Sequence, residues 1–168
     1  MHQLGESIDD LEDVEVFFNG SIGHVENRNV SKDGYNLGLR WQCVEFVKRF
    51  YLDFFNHKMP DSYGHAKDFF DKNIKDGGLN EARNLIQHSN PSIVKPKKYD
   101  ILIFGETNSN AFGHVAIISK VSDDEIEIIQ QNMGYFGSSR ERMKLVFEEG
   151  KWKIKNPRIL GRLSKKNE

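Results

Sequence analysis

Cysteine is almost absent from this sequence of 168 residues, which contains Cys43 and no other. A single cysteine cannot form an internal disulfide, and one thiol is a poor basis for a structural zinc site. Two alternatives are left for Cys43, a buried apolar side chain or a reactive thiol.

Neither sign of charge is in excess, since 24 Lys and Arg stand against 25 Asp and Glu. Such a balance gives no electrostatic footprint for nucleic acid or an anionic membrane, and we expect binding to neither. No apolar run approaches the roughly 20 residues that span a bilayer, and the acidic N-terminus is unlike a signal peptide. We therefore expect a cytoplasmic protein as written, or an exported or periplasmic one if a leader has been removed.

The chain is long enough for one hydrophobic core and gives little reason to expect two. We predict one domain, with 1–34 as a lead-in segment that holds turns and one short strand or hairpin, and 35–168 as its main part. The run CVEFVKRFYLDFFN has the dense apolar pattern of a largely buried helix that starts at or just before Cys43. A short helix is expected through Ala66 and Phe70, and another over 79–88.

The second half of the chain has the alternation and turn residues of β structure. Predicted strands are DILIFG, HVAIISKV, EIEIIQQN, MKLVFEE, KWKIKNP and ILGRL. Helices followed by an antiparallel sheet predict an α+β fold.

Cys43 lies where the predicted helix begins, and the partial positive charge of a helix N-terminus stabilises a thiolate. This position favours the reactive alternative. A cysteine nucleophile also needs a base within hydrogen-bond reach. Of six histidines, His114 follows Gly113 and opens a predicted strand, so its ring can project at the sheet edge.

A third group must orient the imidazole. Ile126, Ile128, Gln130 and Asn132 share one face of the next predicted strand, and the two polar residues at its end are candidates. The alternative is a strand that runs out into solvent.

The motifs RWQCVEFVKRF, DSYGHAKDFF, DILIF, GHVAIIS and EIIQQN occur in this order over residues 35–163. Together they resemble the CHAP domain family, the cysteine- and histidine-dependent amidohydrolases and peptidases. Within that family, WQCVEF looks most like the amidase domain of glutathionylspermidine and trypanothione synthetases. The resemblance implies a papain-like fold with N-terminal helices packed on a C-terminal antiparallel sheet.

The resemblance also implies roles for individual residues. Cys43 would attack the carbonyl carbon, and His114 would take the thiol proton and later donate it to the leaving amine. Gln130 occupies the place where the family commonly has Glu, and Asn132 is the second candidate for orienting the ring. A neutral amide there predicts slower turnover or a different pH profile. The implied substrate-binding residues are Gln42, Lys48, which stands where the family usually has Arg, and Ser62.

We therefore expect a cysteine amidase that hydrolyses an amide bond in a small peptide or peptide–polyamine conjugate through a thioester. The alternatives are a peptidoglycan peptide hydrolase and a catalytically inactive binding module. We expect no cofactor, no metal ion and a monomer.

Overall fold

The long helix begins where the apolar pattern predicts it. In the computed structural model, which describes residues 1–166, helix α1 spans Cys43–Phe55. Its buried apolar face consists of Phe46, Val47, Phe50 and Tyr51. The helix ends at Asn56, whose left-handed backbone (φ 52°) lets its N–H donate to the carbonyl of Leu52. The predicted start at Cys43 is therefore confirmed.

Residues 1–166 form this one α-helix, one 3-10 helix (Ala66–Phe69) and twelve strands. The strands are β1 (Ser7–Leu11), β2 (Val14–Phe17), β3 (Arg28–Val30), β4 (Asn36–Leu39), β5 (Gly78–Asn80), β6 (Leu85–Ser89), β7 (Ile101–Phe104), β8 (His114–Val121), β9 (Glu125–Ile129), β10 (Arg140–Glu148), β11 (Lys151–Ile154) and β12 (Ile159–Ser164). The six strands predicted in the second half are all present as β7 to β12.

An eight-stranded antiparallel sheet forms the body of the fold, in the order β11-β10-β9-β8-β7-β12-β6-β5. Period-2 alternation divides the apolar side chains of β7 and β8 between two cores. Ile103 and Val115 lie in the core that α1 covers, whereas Leu102 and Ala116 lie in the core on the other face.

The lead-in segment contributes to the same core as α1. Strands β1 and β2 pair as a hairpin, and Leu11, Val14 and Val16 are buried against the helix side of the sheet. Strand β3 pairs with β4, which runs into α1. The hairpin of β1 and β2 and the short strand β3 all lie within the lead-in segment 1–34, which therefore holds more β structure than the one short strand or hairpin predicted there.

The helix predicted over 79–88 is wrong, because this stretch forms the hairpin of β5 and β6. Asn80 competes with helical backbone bonding, since its side chain accepts from the Arg83 N–H at 3.2 Å and donates to the Phe69 carbonyl at 2.9 Å. Asn84 then adopts φ 57° at the turn. The fold is thus α+β with an antiparallel sheet, but with one α-helix in the described residues rather than several N-terminal helices.

Candidate active site

Cys43 is the first residue of α1 and is half-buried against the core between helix and sheet. The residue before it, Gln42, has extended backbone (ψ 170°) and provides no side-chain cap. The backbone N–H groups of the first turn are therefore left without capping from this side chain and face the thiol end of the helix.

Two opposing influences act on the Cys43 thiol. Burial raises its pKa, and this is the larger effect. The backbone N–H groups of Val115, Val44 and Cys43 itself point at the sulfur and lower the pKa, because they stabilise a thiolate. The net result is a pKa above the ordinary value, so the resting thiol keeps its proton at neutral pH.

His114 opens β8, directly after a glycine that the local packing requires. Gly113 has φ 75°, and a Cβ there would lie 2.6 Å from the carbonyl oxygen of Phe104. Phe104 pairs with His114 across β7 and β8, and the two ring centroids are 5.3 Å apart. His114 as a whole is 9 % exposed. The histidine is therefore held at the strand end with little access to water.

Gln130 binds the His114 ring. Its Oε1 lies 2.9 Å from His114 Nε2, and its Nε2 donates to the carbonyl of Ser138 at 3.0 Å. Because the Ser138 carbonyl can only accept, the amide must present its oxygen to the imidazole. His114 therefore carries its proton on Nε2, which donates to Gln130. This leaves the Nδ1 lone pair as the basic site of the neutral ring.

The ring is a weak base in the folded protein. Burial lowers the pKa of His114 to about 4, the bond to Gln130 raises it, and the cation of Arg158 lowers it further. Arg158 stacks on Phe104 with its guanidinium 5.4 Å from the ring centroid. At neutral pH both His114 and Cys43 are consequently uncharged.

The thiol and the imidazole are linked through the backbone at the start of β8 and not by a direct bond. The Val115 N–H reaches the Cys43 sulfur from the residue next to His114. Among residues 1–166 no hydrogen bond joins the two side chains. Catalytic hydrogen bonds are often long before substrate binds, so this geometry is compatible with a nucleophile and base.

Asn132 lies near the site but contacts other groups. It has φ 74°, accepts from Asn19 Nδ2 at 2.9 Å and donates to the Ile22 carbonyl at 3.0 Å. It thus joins the end of β9 to the loop after β2. The structure brings Gln130, not Asn132, to the imidazole.

The three predicted substrate-binding residues have different surroundings. Gln42 is half-buried and uses one N–H of its amide on the His24 carbonyl at 3.2 Å, which leaves the second N–H available. Lys48 is 0 % exposed, and its Nζ donates to the carbonyls of Asn36 at 2.5 Å and Ser62 at 2.7 Å. Substrate binding by Lys48 stays a prediction, and its burial weighs against it.

Ser62 lies in the loop after α1 and is half-buried. Its carbonyl accepts from Lys48 and also from Asn36 Nδ2 at 2.9 Å. These backbone contacts fix the loop and leave the role of the hydroxyl as a prediction.

Sequence reasoning missed Gln131, which is 1 % exposed beside the start of α1. Its amide donates to the carbonyl of Gln42 and to the buried carboxylate of Glu45, which also pairs with Arg49 at 2.7 Å. The alternation of EIEIIQQN could have indicated it, because it puts Gln131 on the face opposite Gln130.

The described residues contain no group of three or more metal-ligating side chains placed to hold a metal ion. None of the helices among residues 1–166 is long and apolar enough to cross a membrane.

Comparison with known proteins identifies the class. The model of the CHAP domain family matches residues 32–132, which is more than half of the chain. The chain therefore belongs to the CHAP domain family, whose members are generally amidohydrolases and peptidases. The prediction of this family is confirmed.

Two curated relatives come from Crithidia fasciculata. A trypanothione synthetase is 31 % identical over 125 residues, which cover 73 % of this chain and 19 % of the relative. A glutathionylspermidine synthase is 31 % identical over 121 residues, which cover 68 % of this chain and 16 % of the relative. The chain thus spans less than a fifth of the length of these relatives. The crystal structure of Ly7917 matches 74 % of this chain and 53 % of its own, at 14 % identity and a TM-score of 0.38.

Proposed function

We propose that this protein is a cysteine amidohydrolase with a papain-like site, in which Cys43 is the nucleophile and His114 the base. The observation that carries the proposal is the imidazole fixed by Gln130 with Nδ1 unprotonated, one residue away from an N–H that points at the Cys43 sulfur. A nucleophile, a base and a group that orients the base are the parts that acyl transfer needs.

In the first half of the reaction, the proton of the Cys43 thiol passes to His114 Nδ1 as the sulfur attacks the carbonyl carbon. The negative charge on the carbonyl oxygen would be met by the Cys43 N–H at the helix start and by the free amide N–H of Gln42. Collapse of the tetrahedral species breaks the C–N bond, and the amine leaves with the proton that His114 donates. A thioester on Cys43 is left.

In the second half, a water molecule gives a proton to His114 as its oxygen attacks the thioester carbonyl. The C–S bond then breaks, the carboxylic acid product leaves and the thiol regains its proton. Gln130 holds the ring through Nε2 in both halves. Because Gln130 is neutral, it orients the imidazolium without a compensating charge.

The proposed substrate is an amide of a small peptide, with a peptide–polyamine conjugate as the first choice. The support comes from the names of the two relatives, glutathionylspermidine synthase and trypanothione synthetase. Peptidoglycan peptides are the alternative substrate, because the CHAP domain family includes peptidases as well as amidohydrolases.

The experiment incubates the protein separately with glutathionylspermidine and with purified peptidoglycan and measures the new amino groups. We expect hydrolysis of glutathionylspermidine that Cys43→Ala and His114→Ala each abolish. His88→Gln, which replaces a buried histidine of β6, is the matched control and should retain activity. Full hydrolysis by Cys43→Ala would refute the assignment, and release of amino groups from peptidoglycan alone would change the substrate class.

A further inference from the structure

Gln131 uses the complete hydrogen-bonding capacity of its side chain. Its Nε2 donates to the Gln42 carbonyl at 2.8 Å and to Glu45 Oε1 at 2.9 Å. Its Oε1 accepts from the Phe17 N–H at 2.9 Å and from Arg49 Nη2 at 3.2 Å. Two donors and two acceptors are the whole inventory of an amide.

These four bonds join three elements around the site. Gln42 immediately precedes the nucleophile, and Gln131 immediately follows Gln130, which binds the catalytic imidazole. The Phe17 N–H belongs to the end of β2. One buried side chain therefore connects the backbone before Cys43 to the backbone after the residue that orients His114.

Two of the groups that Gln131 binds, Glu45 and Arg49, are charged, which strengthens these hydrogen bonds. Glu45 is 0 % exposed and accepts from Arg49 Nε at 2.7 Å and from Asn29 Nδ2 at 2.9 Å in addition to Gln131. Hydrogen bonds to charged groups in a buried network are stronger than neutral ones. The carboxylate thus holds Gln131 from the first turn of α1.

We propose that Gln131 is a positioning residue that fixes the distance between Cys43 and the His114–Gln130 pair. This inference rests on the proposed function, because it assigns Gln131 to the same reaction. No other side chain of this length supplies the bonds: a glutamate would lose both donors and face Glu45, and a methionine would lose all four. Gln131 does not touch the reacting atoms itself.

The test compares Gln131→Met with Gln87→Met. Gln87 is a matched buried amide at 1 % exposure, and it bonds to the backbone of Asp71 at 2.7 and 3.0 Å and to Asn80 at 3.1 Å. It lies in β6, three strands from β8. Both variants lose buried hydrogen bonds, so both should melt at a lower temperature than wild type. All assays are therefore run well below the melting temperature of either variant.

Two readouts separate positioning from stability. We expect Gln131→Met to lower kcat on glutathionylspermidine by about 10²-fold with little change in KM, because a misplaced nucleophile costs rate more than binding. The second readout is alkylation of Cys43 by iodoacetamide against pH, which needs no substrate. Its midpoint should rise in Gln131→Met as the N–H groups at the sulfur lose their fixed positions, and stay in place in Gln87→Met.

Equal effects of the two substitutions on kcat and on the alkylation midpoint would overturn the inference, as would an unchanged or lower midpoint in Gln131→Met. If wild-type protein hydrolyses no amide in a Cys43-dependent way, the proposed function fails. The alkylation comparison then still reports whether Gln131 fixes the environment of Cys43.

Discussion

Gln130 is the neutral hydrogen-bond partner of His114, and its replacement by an acid gives a sharp prediction. In Gln130→Glu a carboxylate oxygen would take the place of Oε1, 2.9 Å from His114 Nε2. An imidazolium is stabilised by such a charge and a neutral imidazole is not. We therefore expect the substitution to raise the pKa of His114.

The size of the change follows from Coulomb's law. Opposite unit charges about 4 Å apart attract by about 4 kcal/mol at an effective dielectric constant of about 20. This equals about 3 pKa units, since one unit corresponds to about 1.4 kcal/mol. Part is lost because the new carboxylate faces the Ser138 carbonyl, to which Gln130 donates, and resists ionisation there. A net rise of about 2 units would move the His114 pKa from about 4 to about 6.

The pH dependence of kcat/KM measures this shift. The base must be neutral to accept the thiol proton, so activity is lost as pH falls through the His114 pKa of the free enzyme. The acid limb should therefore lie near about pH 4 in the wild type and near about pH 6 in Gln130→Glu. An NMR titration of the ring, assigned by its absence in His114→Gln, gives the pKa directly.

Gln87→Glu is the control, because it places the same charge on a buried amide three strands from β8. Its acid limb should stay in place. An acid limb in Gln130→Glu that coincides with that of the wild type would refute the reasoning. The imidazole would then not be governed by the residue to which it is hydrogen-bonded.

Further predictions concern groups with displaced pKa values. The depressed pKa of His114 (6.5 to about 4) costs stability as pH falls, so wild type should lose about 2 kcal/mol more than His114→Gln between about pH 7 and about pH 5 in urea unfolding. Burial lowers the pKa of Lys48 from 10.5 to about 7, and wild type should gain about 2 kcal/mol relative to Lys48→Met between about pH 7 and about pH 9. If wild type and the variant showed the same pH dependence of the free energy of unfolding, the corresponding prediction would be contradicted. The cation of Arg158 lowers the pKa of His114, so Arg158→Gln should move the acid limb of kcat/KM to higher pH. Added salt screens this cation and should cause the same shift in wild type but not in Arg158→Gln.

Much of the scaffold around the site could be predicted because its signals are local. Strands β7, β8 and β9 carry apolar runs bounded by turns, and α1 carries its buried face at helical spacing. The pairing of His114 with Gln130 follows from adjacent antiparallel strands, which place the start of one beside the end of the next.

The errors arose where side chains far apart in sequence decide the outcome. Residues 79–88 have the composition of a helix, but Asn80 binds the Phe69 carbonyl and the stretch pairs with β12 instead. The substrate-binding role of Lys48 stays a prediction, but its burial also depends on distant residues, because β4 and the loop after α1 supply the two carbonyls that it binds. Neither the tertiary partner nor the burial is encoded in the local pattern.

The charge state of the pair connects these observations to the reaction. A carboxylate in place of Gln130 would favour a preformed thiolate and imidazolium, whereas here burial keeps both Cys43 and His114 neutral. In the proposed reaction the thiol proton then has to move during attack, when the developing charge on the carbonyl oxygen would be stabilised by the helix start. Such a transfer requires the sulfur and Nδ1 to be held at a fixed separation. Under the proposed mechanism, the four buried hydrogen bonds of Gln131 would meet this requirement, and the neutral site would depend on geometry rather than on charge.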